Sequence, residues 1–302
     1  MTAFAFTDGV LFFPVTPFDA ADRVDRELLA QHVASGVDAG AAGVFAGCGT
    51  GEYHALSAEE SGVVVGEAVA AVAGRAPVLA GTGGPLGHAR QVARAAADAG
   101  ADGLLVMPPY LVGAPQAGLV AYVRAIGEAS GLPLIVYHRA NGALTEATVE
   151  RLVELESVAG FKDGVGDVAL MQRFVLAASR SGRELQFFNG LLTAELSQAA
   201  YRAVGVPLYS SAVFAMAPDL AMAFFRAYRD GDEARQRALL DGFFVPLVRL
   251  RDEAPGFAVS LIKAGVRLAG LPVGPVRPPL TDPTPEQQAR LAEIIARGRE
   301  LL

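Results

Sequence analysis

Short apolar runs alternate with longer amphipathic ones eight times along this chain, and that alternation constrains the fold more than any other feature of the sequence. The run "GVLFFPVTPF" (9–18) precedes the helix-like "DRELLAQHVASGVDAG". Next, "GVFAGCGT" (43–50) precedes "SAEESGVVVGEAVAAVAG", in which Ser57 and Glu60 have the spacing of a capping box. The same unit recurs from "PVLAGTG" (77–83), "GLLVMPP" (103–109), "PLIVYHRA" (133–140), "VAGFKDGV" (158–165), "ELQFFNGL" (184–191) and "VPLYSSAV" (206–213). A faint internal echo, "DAGAAGV" from 38 and "DAGADGL" from 98, places a glycine at a helix C-cap just before the next strand. Eight strand–helix units over residues 1–232 predict an α/β fold, a (β/α)8 TIM barrel of ordinary size.

From residue 233 the strand signal stops. Three helical patterns follow, "EARQRALLDGFFVPLVRLRDE", "FAVSLIKAGVRLAG" and, after a proline-rich connection, "EQQARLAEIIARGRELL". Pro246 is expected to kink the first of them, because it has no N–H and its ring clashes with the preceding turn. Residues 233–302 are therefore predicted to be a C-terminal three-helix extension, packed on the barrel or on a neighbouring subunit.

Composition narrows the function classes. At 52% hydrophobic residues, 302 residues can bury a sizeable core. The single cysteine, Cys48, rules out an intrachain disulfide framework, and no Cys/His spacing suggests a metal site. The N-terminal "MTAFAFTDGVLFF" has no basic region of the kind a secretory signal carries, and no apolar run reaches the roughly 18 residues of a membrane span. A net charge of −7 without basic clusters speaks against nucleic acid and anionic membranes as partners. The expectation is a cytoplasmic protein that handles a small molecule.

The basic residues are unevenly chosen. Of 25, only Lys162 and Lys263 are lysines. Arginine forks onto carboxylates well but stays protonated, whereas a lysine amine can lose its proton and attack a carbonyl. Barrel chemistry gathers at the C-terminal ends of strands, and Lys162 lies late in the sixth strand beside Tyr137 at the end of the fifth. Alternation sends Lys162 to one face and Phe161 and Asp163 to the other, which makes Asp163 a helix-layer or capping group. In an apolar interior the amine would be partly neutral and could form a Schiff base, with Tyr137 as proton carrier. The alternatives are a buried ion pair for Lys162 and a core aromatic for Tyr137. Lys263, in the extension, reads as a surface or helix-end lysine.

The stretch "GCGTGEYHAL" (47–56) closes the second strand. Its glycines let backbone N–H groups approach an anion, and Thr50 adds a hydroxyl, a combination suited to a carboxylate. It lacks the spacing of a P-loop or a dinucleotide fingerprint, so no nucleotide cofactor is expected. Glu52 is expected to brace this turn.

Taken together, "FFPVTPF", "GCGTGE", the strand-five tyrosine and "GFKDGVGD" resemble the dihydrodipicolinate synthase and N-acetylneuraminate lyase superfamily of Schiff-base barrels over nearly the whole chain. Within it, "GFKDGVGD", "YHRANG", "NGLLTAE" and "YSSAVF" are most similar to the 5-dehydro-4-deoxyglucarate dehydratase subgroup. That resemblance implies a decarboxylating dehydration of a keto sugar diacid, no cofactor and no metal, and a homotetramer. It assigns Lys162 to the imine, Tyr137 to acid/base work, and Gly49 with Thr50 to the carboxylate. Arg139, Asn189, Ser210 and Ser211, at strand ends, are candidates for the distal carboxylate and hydroxyls, or for capping roles. Leu111 stands where the synthases place a relay tyrosine, His138 replaces an expected asparagine, and Leu192 an expected proline. An aldolase or lyase acting on another 2-keto acid, and a silent keto-acid-binding barrel, are the competing readings.

Overall fold

The computed structural model describes residues 4, 6 and 9–302. Most of the N-terminal stretch read for a targeting signal, residues 1–3, 5, 7 and 8, lies outside the described residues. Eight parallel strands close into a barrel in sequence order, with β8 hydrogen-bonded to β1. They are β1 (Val10–Phe12), β2 (Ala41–Ala46), β3 (Val78–Gly84), β4 (Gly103–Pro109), β5 (Leu134–His138), β6 (Val158–Asp163), β7 (Gln186–Asn189) and β8 (Leu208–Ser211). The helices between and after them are α1 (Arg26–Asp38), α2 (Ala58–Val72), α3 (Leu86–Asp98), α4 (Gln116–Ser130), α5 (Glu146–Val153), α6 (Val168–Ser179), α7 (Gln198–Ala203) and α8 (Pro218–Asp230). The expected TIM barrel is the observed one.

Local chemistry explains the boundaries. The first strand is shorter than its apolar run, because Pro14 and Pro17 cannot donate to a ladder and the chain leaves the sheet after Phe12. That departing segment is held by His32, whose Nε2 accepts from the Val15 N–H at 3.3 Å. Burial pushes this imidazole down to about 4, so it is neutral and free to accept. Helix α2 starts at the expected capping box, in which Ser57 and Glu60 satisfy each other's backbone N–H groups. Such a cap stabilises by about 1 kcal/mol. Gly40 and Gly100 take the left-handed φ values of +96° and +85° that end α1 and α3 just before the next strands.

Two apolar layers follow from strand alternation. Outward side chains such as Val44, Leu104, Val136 and Phe161 pack beneath the helices. Inward ones, including Leu11, Phe45, Leu79, Leu105, Ile135 and Phe188, fill the barrel. Phe6 adds to the inner layer, its ring centroid 5.8 Å from that of Phe45.

The extension carries four helices, α9 (Glu233–Leu239), α10 (Val245–Arg251), α11 (Phe257–Leu268) and α12 (Pro285–Arg299), with non-helical connections over 252–256 and 269–284. Where a proline kink was expected, a π-helical segment (Leu240–Phe244) joins α9 to α10, and Pro246 falls in the first turn of α10, the position where its missing N–H costs least. Phe243 and Phe244 are fully buried there, Phe244 edge-on to Phe224 of α8. Among the described residues no helix is long and apolar enough to cross a membrane.

Candidate active site

Strands β5 and β6 are in register at Tyr137 and Lys162, which sets both side chains on the inner face at the C-terminal end of the barrel. Lys162 is 5% exposed, and its Nζ lies 3.9 Å from the Phe13 ring centroid, 4.6 Å from that of Tyr137 and 5.8 Å from that of Phe188. Among the described residues no carboxylate pairs with it, which removes the buried ion pair as an explanation of the lysine. Burial lowers its pKa to about 7, helped by the nearby Arg139 charge. Cys48 could favour the ammonium only as a thiolate, and burial pushes that thiol up to about 12, so it supplies no counter-charge at pH 7. The lysine also needs space. A Cβ on Gly190 would overlap Lys162 Cε and stand 2.5 Å from its Cγ, so glycine is required beside it.

Tyr137 is held from two sides. Its hydroxyl donates to the Gly190 carbonyl at 3.1 Å and accepts from Arg139 Nη1 at 2.9 Å. Burial raises the phenol above its ordinary range, with the Arg139 cation opposing, so the group is protonated at neutral pH. Gly164 leaves room for this ring, since a Cβ there would approach the Tyr137 hydroxyl to 2.9 Å.

The glycine-rich turn after β2 closes through Tyr53 N–H on the Cys48 carbonyl at 3.1 Å and Glu52 N–H on that of Gly49 at 3.2 Å. Gly47 has φ +57°, and a Cβ on Gly81 of the neighbouring strand would run into the Gly47 carbonyl oxygen. Thr16 Oγ1 donates to the Gly51 carbonyl at 2.7 Å. Glu52 braces the turn as expected, but from an unusual backbone: φ is +58°, a conformation that costs a non-glycine residue about 1–2 kcal/mol. Its carboxylate is fully buried and accepts from Lys263 Nζ at 2.6 Å and from the Arg277 N–H at 2.8 Å. The expectation of a surface Lys263 is thus overturned. Its relative exposure is 0%, because α11 turns that side onto the loops after β1 and β2, where Glu52 compensates the charge.

A cavity of about 440 Å³, within the range of small-ligand sites, opens at this end of the barrel. It brings together Lys162, Tyr137, Arg139, Gly49, Thr50 and Ser210. Asn189 and Ser211 do not reach it. Alternation places Phe188 and Ser210 inward and sends Asn189 and Ser211 to the helix layer. Asn189 Nδ2 donates there to Ala194 O at 3.1 Å and Ser197 Oγ at 3.0 Å, while Ser211 Oγ donates to Glu195 Oε1 at 2.5 Å. His138 also faces outward, its Nδ1 accepting from the Leu144 N–H at 2.7 Å, so the replacement of an expected asparagine does not touch the cavity. Asp163 accepts from the Val165 and Gly166 N–H groups and the Tyr201 hydroxyl, the capping role foreseen for it. Leu192 lies on the cavity wall; Leu111, 75% exposed with φ +52°, does not. Sequence reasoning missed Phe13, Gly190 and the wall supplied by Gly256, Ala258 and Val259 of the extension. Only Gly190 left a local trace, directly after the β7 run. Among the described residues no cluster of three or more His, Cys, Asp or Glu side chains is arranged to hold a metal.

Comparison with known proteins agrees with this architecture. The chain is 56% identical over 296 residues to a protein of Streptomyces griseus subsp. griseus described as a probable 5-dehydro-4-deoxyglucarate dehydratase, covering 97% of this chain and 92% of that one. A Rhizobium rhizogenes protein of the same description is 46% identical over 95% of this chain and 94% of its own length. Among solved structures, dihydrodipicolinate synthase from Oceanobacillus iheyensis superposes with a TM-score of 0.88 at 26% identity, covering 96% of each chain. A prophage protein of E. coli K12, solved in complex with pyruvate, gives 0.85 at 26% identity over 96% of this chain and 98% of that one. Residues 6–297 match the model of the dihydrodipicolinate synthetase family, and with the closed barrel, the inward lysine and these relatives the chain belongs to that family.

Proposed function

We propose that this chain is a decarboxylating dehydratase that converts 5-dehydro-4-deoxyglucarate into 2,5-dioxopentanoate, water and carbon dioxide. The observation that carries the chemistry is Lys162, an amine poised near pH 7 in an aromatic cage beside a buried phenol. Lys162 Nζ attacks the C5 ketone while the adjacent carboxylate sits at the Gly49–Thr50 turn. The Tyr137 proton leaves with the carbinolamine hydroxyl as water, giving the iminium. The resulting phenolate takes the C4 proton to form an enamine. Tyr137 then returns that proton to the C3 hydroxyl, which departs as a second water and leaves a conjugated iminium. Loss of C1 as carbon dioxide sends the C1–C2 bonding electrons into that iminium, and tautomerisation with imine hydrolysis frees the product and the lysine. Arg139, hydrogen-bonded to Tyr137 and facing the cavity, is suited to the distal carboxylate, and Ser210 to a hydroxyl.

In this reading residues 1–232 carry the chemistry and residues 233–302 wall and brace the site. We assign the protein to the cytoplasm and, supported by the exposed apolar run Tyr110, Leu111 and Val112, to a homotetramer. The test is product analysis with 5-dehydro-4-deoxyglucarate, with borohydride added in a parallel reaction. Carbon dioxide and 2,5-dioxopentanoate are expected, with a reduced adduct on Lys162. Tyr137→Phe should keep the adduct while turnover falls by about 10²-fold or more. Pyruvate without carbon dioxide would place the chain among aldolases, and full activity of Lys162→Arg would remove the imine.

A further inference from the structure

Both lysines of this arginine-rich chain are buried, and only one reaches the cavity. The other, Lys263, is 0% exposed, with Nζ 2.6 Å from Glu52 Oε1 and 4.1 Å from the Phe18 ring centroid. Glu52 follows the Gly49–Thr50 turn by two residues, in the left-handed region, and its second oxygen takes the Arg277 N–H at 2.8 Å. Arg277 extends the clamp: its guanidinium donates to Ala55 O and to Glu60, and lies 3.9 Å from the same Phe18 ring. A buried pair of this kind adds little net stability, but removing one partner strands a charge in the interior. Such a pair is better at fixing a backbone conformation than at holding a fold together. Here the backbone fixed is a left-handed residue that turns the chain two residues after the pair facing the cavity.

We infer that Lys263 and Glu52 are positioning residues, which set the Gly49–Thr50 turn for the substrate carboxylate from outside the cavity. This rests on the assignment of that turn to the carboxylate next to the reacting ketone. The ion pair acts on ligands that carry this carboxylate and leaves the amine of Lys162 untouched.

The test compares borohydride trapping of pyruvate with that of hydroxyacetone, a ketone without a carboxylate, on the full chain. The variants are Lys263→Met and the isosteric Glu52→Gln, which covers the case in which the methionine variant fails to fold. Wild type is expected to trap pyruvate at far lower concentration than hydroxyacetone. In the variants the pyruvate concentration for half-maximal trapping should rise about tenfold or more, the scale of one charge-assisted hydrogen bond, with hydroxyacetone trapping changed less than about twofold. With the sugar diacid the same loss should fall on KM more than on kcat. Equal losses for both ketones would reduce the pair to a structural role and overturn the inference, as would an undiminished preference for pyruvate in the folded variants. A wild type without that preference would refute the carboxylate turn and the inference with it. A wild type trapping neither ketone would refute the Schiff base itself.

Discussion

Placing a carboxylate over Lys162 should move the amine back toward its ordinary basicity, and Phe13→Asp is a substitution that does so. The Phe13 ring centroid is 3.9 Å from Nζ, so an aspartate at this position stands within ion-pairing range. With a pKa of about 7, roughly half of Lys162 is neutral at pH 7, against about three parts in ten thousand for an amine at 10.5. An opposite charge at this range raises an amine by about 1–3 pKa units, which would cut the neutral fraction at pH 7 by about 5- to 500-fold. The assay is the rate of borohydride-trapped imine with pyruvate, followed by intact mass from about pH 6 to pH 11, with Phe13→Leu as the control for the lost ring. Loss of the ring also breaks its stack on Phe45, whose centroid is 4.5 Å away, so both variants should melt earlier than wild type. Wild type and Phe13→Leu should show a midpoint near 7, and Phe13→Asp a midpoint between about 8 and 10, with the rates converging at the alkaline end. A wild-type midpoint near 10.5, or an unmoved midpoint in Phe13→Asp, would refute burial as the origin of the reactive amine.

Two further outcomes follow from the packing around the site. Gly190→Ala should abolish adduct formation, because the new Cβ would sit 2.5 Å from Lys162 Cγ and displace the side chain; normal trapping in a folded variant would refute the steric argument. Glu195, fully enclosed behind β8, has its carboxyl raised from 4.5 to about 7 by burial. A raised carboxyl favours the folded state below pH 4.5, and that contribution is lost as pH climbs through about 7, a loss of about 3 kcal/mol. Denaturant unfolding should therefore show stability falling across this window in wild type, and a flatter profile in Glu195→Gln.

The barrel, and the meeting of Lys162 with Tyr137 inside it, could be read directly, because period-two alternation and the choice of lysine over arginine are local signals. The same alternation, applied strictly to "QFFN" and "LYSS", would have set Asn189 and Ser211 aside, since the parity that turns Phe188 and Ser210 inward turns their neighbours out. Strand ends hide this parity, because residues one step past the ladder still look like loop. Lys263 was illegible for a different reason. Helical patterning reports that a residue lies on one face of α11, but not that a carboxylate 211 positions earlier waits beneath that face. Gly190 and Gly164 look like ordinary turn glycines until a side chain from another strand is found to occupy the space where their Cβ atoms would be.

The clamp on the Gly49–Thr50 turn has a consequence for how the molecule is made. Glu52 is separated from Lys263 by 211 positions, and Asp22 from Arg277 by 255. The paired strands of the barrel, by contrast, are joined by single crossovers, apart from the closing contact of β8 with β1. Loop-closure entropy must be met before such distant contacts form, and chains are synthesised from the N-terminus. A nascent chain can therefore hold all eight strands, with Lys162 and Tyr137 already emerged, while the turn that would receive the carboxylate still lacks its brace. The site is completed by the segment translated after the barrel, so assembly of the last turn, rather than closure of the sheet, marks the moment at which the chain has its finished binding surface.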